Sequence, residues 1–139
     1  MTNILYDSIN YYNETDNPII SEFLNHPTTD YLSSIVLFAA CSLDVGPGAQ
    51  VVAESSTVSI AEAIVNQNID NLSVSSIIMK DQLFPQVTLA IPIVAVDYIG
   101  SGKVIAIPDT NLFANDTYSG TALIDVHDNE EFLINILYW

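Results

Sequence analysis

Oxygen donors and one imidazole gather in the last third of the sequence, at Asp109-Thr110-Asn111, Asn115-Asp116 and Asp125-Val126-His127-Asp128. Placed at the carboxyl ends of strands in an open α/β sheet, they fall where such sheets hold ligands. Their carboxylate and amide oxygens suit a hard cation such as Ca²⁺. Their spacing is not that of an EF-hand loop, however, and no metal is expected. A plainer assignment gives Asp109 and Asn111 to turn hydrogen bonds, and Asp128 or Asn129 to the N-cap of a final helix. Asp109, Asn111, Asp116, His127 and Asp128 are the candidate binding residues.

Nucleophilic chemistry has one candidate, Cys41 with His127 as its base. The single cysteine excludes an internal disulfide. Cys41 ends the apolar run Val36-Leu-Phe-Ala-Ala-Cys41, where a thiol is expected to behave as a small buried hydrophobe, and no basic neighbour is in sight to activate it. His26 precedes Pro27 and is expected to order a turn, because neither histidine has zinc-type companions. No G-x-S-x-G elbow, P-loop or G-x-G-x-x-G is present, and no cofactor is expected. Gly100-Ser101-Gly102 lies between two strand-like runs and reads as a hairpin turn. Tyr6, Tyr11, Tyr12 and Tyr31 concentrate near the start, a residue type that suits interfaces and sugar sites. Packing over an edge strand accounts for them equally well.

Positioning these residues falls to a simple order of elements. Residues 1–30 read as an extended entry segment, with a strand near Ile4–Ile9 and either a short helical turn or extended chain from Pro18. Ser34–Leu43 is the first strong strand, of the apolar kind buried on both faces. Ala49–Glu54 is a second. Ser55–Gln67 is ambiguous, with modest helical spacing over Ser59–Asn66, and 66–86 reads as a loop-rich excursion. Val87–Tyr98 and Lys103–Ile107 form an antiparallel hairpin, with Pro92 requiring an edge position or a bulge. Phe132, Leu133, Ile136 and Leu137 follow Asp128-Asn-Glu-Glu131 at helical spacing.

The 139 residues fit one domain spanning 1–139. Its abrupt end on a core helix suggests a fragment of a larger protein. Seventeen acidic residues against two lysines give a net charge of −15. Such a chain repels nucleic acid and anionic membrane surfaces. It also has no apolar run of the roughly 18–20 residues needed to span a bilayer. Three N-x-S/T sequons, at Asn13, Asn71 and Asn115, and the acidity favour an extracellular or cell-surface setting. The missing leader and lone cysteine fit a cytoplasmic one.

Several landmarks occur in a recognisable order: His26-Pro27-Thr28-Thr29, Ala40-Cys41-Ser42-Leu43, Ala49-Gln-Val-Val-Ala-Glu54, Gly100-Ser-Gly-Lys-Val-Ile-Ala-Ile-Pro-Asp-Thr-Asn-Leu-Phe113 and Asp128-Asn-Glu-Glu-Phe-Leu-Ile-Asn-Ile-Leu-Tyr-Trp139. This order, over roughly residues 20–139, resembles the C-terminal part of the class I glutamine-amidotransferase-like module of DUF4350-type, gliding-motility and intraflagellar-transport proteins. The resemblance implies a flavodoxin-like α/β fold: a mostly parallel sheet with a C-terminal antiparallel hairpin and flanking helices, truncated at its start or completed by another segment. It implies no activity here, since Cys41 is followed by Ser-Leu-Asp-Val and a Gly-Pro-Gly turn rather than by a helix. The expected function is therefore a non-catalytic binding or scaffolding domain engaging a protein or a glycan, with homodimerisation through sheet edges as a further expectation. The alternatives are a cysteine-dependent hydrolase using Cys41 and His127, and a structural spacer.

Overall fold

Ile35, Val36, Leu37 and Phe38 are all buried, and the segment they form, Ser33–Ala39, is the one around which the chain is arranged. The computed structural model describes residues 3–63 and 90–139. Its strands are β1 (Asn3–Tyr6), β2 (Ile19–Ile20), β3 (Glu22–Phe23), β4 (Ile35–Val36), β5 (Gln50–Glu54), β6 (Ile60–Ala63), β7 (Pro92–Ile99), β8 (Gly102–Ala106), β9 (Thr117–Tyr118) and β10 (Thr121–Ala122). Single 3₁₀ turns occur at Pro27–Thr29, Asn111–Phe113 and Leu123–Asp125, and an α-helix, α1, spans Asn129–Tyr138. Strands β3-β5-β7-β8 form a four-stranded sheet, while β1-β6, β2-β4 and β9-β10 are separate pairs.

Every one of these pairings is antiparallel. The expectation of a flavodoxin-like, mostly parallel sheet is therefore corrected. A parallel pair needs a crossover of a dozen or more residues, usually a helix, and the only α-helix among the described residues follows all of the strands. That expectation rested on the resemblance; the apolar run from Ser34 is served instead by short antiparallel contacts on one edge and by side chains on the other.

Two other elements differ from expectation. The modest helical spacing lies over Ser59–Asn66, of which 64–66 fall outside the described residues, yet Ile60–Ala63 is a strand paired residue for residue with Asn3–Tyr6, so a cross-strand partner overrides a modest local preference. The run Ser34–Leu43 is not one long strand. Only Ile35–Val36 pairs as such, and the chain turns at Ala39, which takes a left-handed φ of 55°. The excursion at 66–86, Lys80, the Asn71 sequon and residues 87–89 lie outside the described residues.

The hairpin does form. Gly100 has φ 63°, and a positive φ at the first but not the second central residue is the type II′ turn that suits twisted strands. Pro92 is the first residue of β7, the place where a missing N–H does least harm within a sheet. Register shifts in the β5–β7 ladder fall at Val51/Ala53 and Ala53/Glu54, next to it. On α1, Phe132 is fully buried and its ring lies 5.9 Å from that of Phe113, while Glu130 and Glu131 occupy the first turn, where the helix dipole favours negative charge.

From Ser34 to Ala39 the amides alternate between two edges, as in any strand. On one side Ile35 pairs with Ile20, Leu37 N donates to Pro18 O at 3.2 Å and Ala39 N to Asp16 O at 3.0 Å. On the other side the partners are side chains. Ser33 N and Ser34 N donate to Asp128 Oδ2 at 2.6 and 3.0 Å. Val36 N donates to Asn129 Oδ1 at 2.9 Å, and Phe38 N to Asp109 Oδ2 at 2.6 Å. Asn129 also donates through Nδ2 to Val36 O at 3.1 Å and to Leu123 O at 3.0 Å. The fully buried carboxamide thus matches one residue of backbone as a neighbouring strand would. Replacing it leaves buried amide and carbonyl groups unpaired, so Asn129→Ala should cost about 2–4 kcal/mol, read as a lower urea midpoint with little change in slope.

Candidate functional site

The structure separates the predicted site residues into two groups. Asp109 and Asp128 do not converge on an empty site; both turn to the backbone of Ser33–Phe38. Asp109 is buried and besides Phe38 N accepts Asn111 N through Oδ1 at 2.7 Å, which is the expected turn bond joined to an unforeseen long-range one. Asp128 precedes α1 but makes no side-chain cap bond to it. The expectation that it caps the helix is corrected, because its carboxylate is already engaged by Ser33 and Ser34. Asn111 and Asp116 are exposed, and Asp116 contributes a carbonyl to Leu123 N at 2.9 Å. Among the described residues no group of three or more His, Cys, Asp or Glu is disposed to hold a metal ion.

Around His127 the picture is different. Its imidazole is exposed, its backbone takes φ 52°, uncommon for a residue other than glycine, and its Nδ1 lies 2.7 Å from Ser34 Oγ. The Tyr12 ring meets it edge-on at 6.0 Å and also packs on Phe38 at 6.5 Å and Tyr118 at 6.4 Å. The Tyr118 hydroxyl donates to Glu14. That bond, reinforced by desolvation and by the charges of Glu14 and Asp16, holds the phenol above its ordinary range. Two loops, 10–16 and 114–127, thus meet in an aromatic group edged by carboxylates. Of the tyrosines concentrated near the start of the sequence, Tyr31 is 96% exposed, and Tyr12 finds ring partners far along the chain in Tyr118 and His127.

Cys41 is half-buried rather than buried. Its Sγ lies 3.9 Å from Pro108 O, and its backbone bridges Ile4. The partner of the thiol is Pro108 O and that of the imidazole is Ser34 Oγ, and the arrangement is not that of a nucleophile on its base.

One acidic group escaped the sequence reading. Asp7 is fully buried and accepts Ile9 N at 2.8 Å and Asn10 N at 2.7 Å through Oδ1, and Ser56 Oγ at 2.5 Å and Ser59 Oγ at 2.8 Å through Oδ2. Burial pushes its carboxyl up, but the bonds from Ser56, Asn10, Ile9 and Ser59 together outweigh it and hold the group below the usual carboxylate range. Asp109 goes the other way. Burial dominates over the amides of Phe38, Asn111 and Leu112 and raises it. The turn-forming run Asp7-Ser-Ile-Asn10 was a signal for the local half of the Asp7 network; nothing local announced Ser56 and Ser59.

Compared with protein-family models, with curated proteins and with solved structures, the chain matches none.

The two buried carboxylates act oppositely on stability. Asp7, lowered on folding, stabilises the fold above its unfolded value near 3.8 and loses that contribution as pH falls through the folded value. Asp109, raised on folding, contributes most at low pH and less as pH rises through its folded value. Asp7→Asn should destabilise the protein by about 1–3 kcal/mol at neutral pH, with the deficit narrowing below pH 3.8, as followed by urea unfolding across that range.

Proposed function

We propose that the chain is a non-catalytic binding domain that takes a basic segment of a protein partner at the junction of the 10–16 and 114–127 loops. One contrast supports this reading. The acidic groups with the most perturbed surroundings, Asp7 and Asp109, are spent on backbone amides and hydroxyls inside the fold, and so is Asp128. Tyr12, Tyr118 and His127, edged by Glu14, Asp16 and Asp116, instead lie at an accessible surface. Tyrosine and histidine offer flat apolar area with polar tips, and an arginine or lysine gains from both the ring faces and the neighbouring carboxylates. The net charge of −15 adds long-range attraction for such a partner. The different hydrogen-bond partners of Cys41 and His127 weigh against a hydrolase.

Titration with a Lys/Arg-rich peptide tests the assignment. His127→Gly removes the imidazole while placing glycine where the backbone is left-handed, so the fold is kept. It should weaken binding about tenfold, roughly 1.4 kcal/mol. The double change Glu130→Gln/Glu131→Gln on α1 should leave affinity nearly unchanged. Equal losses from both would mean that only overall charge is felt, and the site would be abandoned. A neutral oligosaccharide titrated in parallel, if it bound while the peptide did not, would transfer the same surface to a glycan.

A further inference from the structure

His26 is 6% exposed, and its Nε2 is a buried nitrogen with no hydrogen-bond partner. The opposite nitrogen fixes the tautomer. Nδ1 accepts the Thr28 backbone N–H at 3.2 Å, capping the Pro27–Thr29 turn, and lies 2.8 Å from Thr28 Oγ1. An amide can only donate, so Nδ1 carries the lone pair and Nε2 carries the proton. The ring packs at 4.9 Å and 71° against the indole of Trp139 at the end of α1. Around that indole are Tyr98 of β7, with ring centroids 5.7 Å apart, and Lys103 of β8, whose Nζ sits 5.1 Å from the ring centroid and donates to Trp139 O. Asn135 Nδ2 ties α1 to the same turn through Asp30 O at 2.8 Å.

We propose that His26 is an acid-released latch, joining the Pro27–Thr29 turn to the last turn of α1 only while its imidazole is neutral. A second proton must enter at Nδ1, where it would face the Thr28 N–H head-on; the cap is lost in either direction of adjustment. The resulting imidazolium would also be a buried charge with no ion-pair partner. The charged groups acting on it among the described residues are Asp30, which follows the turn and favours protonation, and Lys103 from β8, which opposes it; β7 and α1 bring the rings Tyr98 and Trp139. Burial, the largest influence, and Lys103 outweigh Asp30 and hold the ring below the usual imidazole range. The sign follows: a group lowered on folding stabilises the closed contact above 6.5, its ordinary value, and withdraws that support as pH falls through the folded value. Protonation therefore frees the ring from its pocket and uncouples Trp139 from the turn.

The chain has one tryptophan and two histidines, so the test reads the latch directly. Tryptophan emission and acrylamide quenching are followed from about pH 8 to about pH 5 on the whole chain. Emission should move to longer wavelength and quenching should rise, with a midpoint below 6.5. The transition should vanish in His26→Asn, whose side-chain oxygen still caps Thr28, and persist in His127→Asn. Proton NMR of the wild-type chain supplies a second reading that needs no variant: the His26 imidazole and Trp139 indole resonances should share one midpoint. A transition that survives His26→Asn, an indole that stays unmoved while His26 titrates, or a His26 midpoint at or above 6.5 overturns the proposal.

Discussion

The fold depends on how the even-numbered amides of Ser34–Phe38 are satisfied. A buried strand with one bare edge is costly, since each unpaired buried N–H forfeits roughly 1–3 kcal/mol. Here Asp128, Asn129 and Asp109 stand where a neighbouring strand would, each meeting one or two amides of the segment. This arrangement frees the chain from needing a parallel partner for its most apolar run. It also explains why the region around it breaks into two-residue pairings instead of one continuous sheet. The position of α1 follows from the same bonds, because Asp128 and Asn129 are its N-cap and first residue.

This use of acidic and amide side chains shapes the reading of function. A carboxylate in a cleft with a perturbed affinity for protons is a usual sign of chemistry, and Asp7 and Asp109 both have such an affinity. The causes lie inside the fold: hydrogen bonds from Ser56, Asn10, Ile9 and Ser59 lower Asp7, and burial raises Asp109 against the amides it accepts. What reaches the surface is aromatic and acidic in character, with an imidazole among it.

Much of the local structure was legible. Gly100-Ser101-Gly102 announced the hairpin because a type II′ turn needs glycine at its first central residue, and Asp128-Asn-Glu-Glu131 before Phe132 announced the helix. The strand expected over Ala49–Glu54 forms as Gln50–Glu54. The failures share a cause. Ile60–Ala63 is a strand only because Asn3–Tyr6 lies beside it, and the roles of Asp109, Asp128 and Asn129 rest on partners 71 to 95 positions away. A spacing rule sees a few residues in either direction, so it offered Asp109 its turn bond and Asp128 its N-cap position, but not the distant amides that take the Asp128 carboxylate from the helix. The hydrogen bonds of Asp109 and Asp128 to the 33–38 segment were out of reach for the same reason: their partners are distant in sequence.

The side-chain edge also sets an order of events during synthesis. The apolar segment at 35–38 leaves the ribosome long before Asp109, and longer still before Asn129. Until those residues emerge, it can be matched on one edge only, by residues 16–20. Loop closure over such spans is slow because its entropy is lost before the contacts that reward it form. In that interval the nascent chain displays a β-branched run with an open edge, the kind of surface that recruits other strands. The last helix is thus more than a cover for the core, since its first residues end the period in which the growing polypeptide is most prone to self-association.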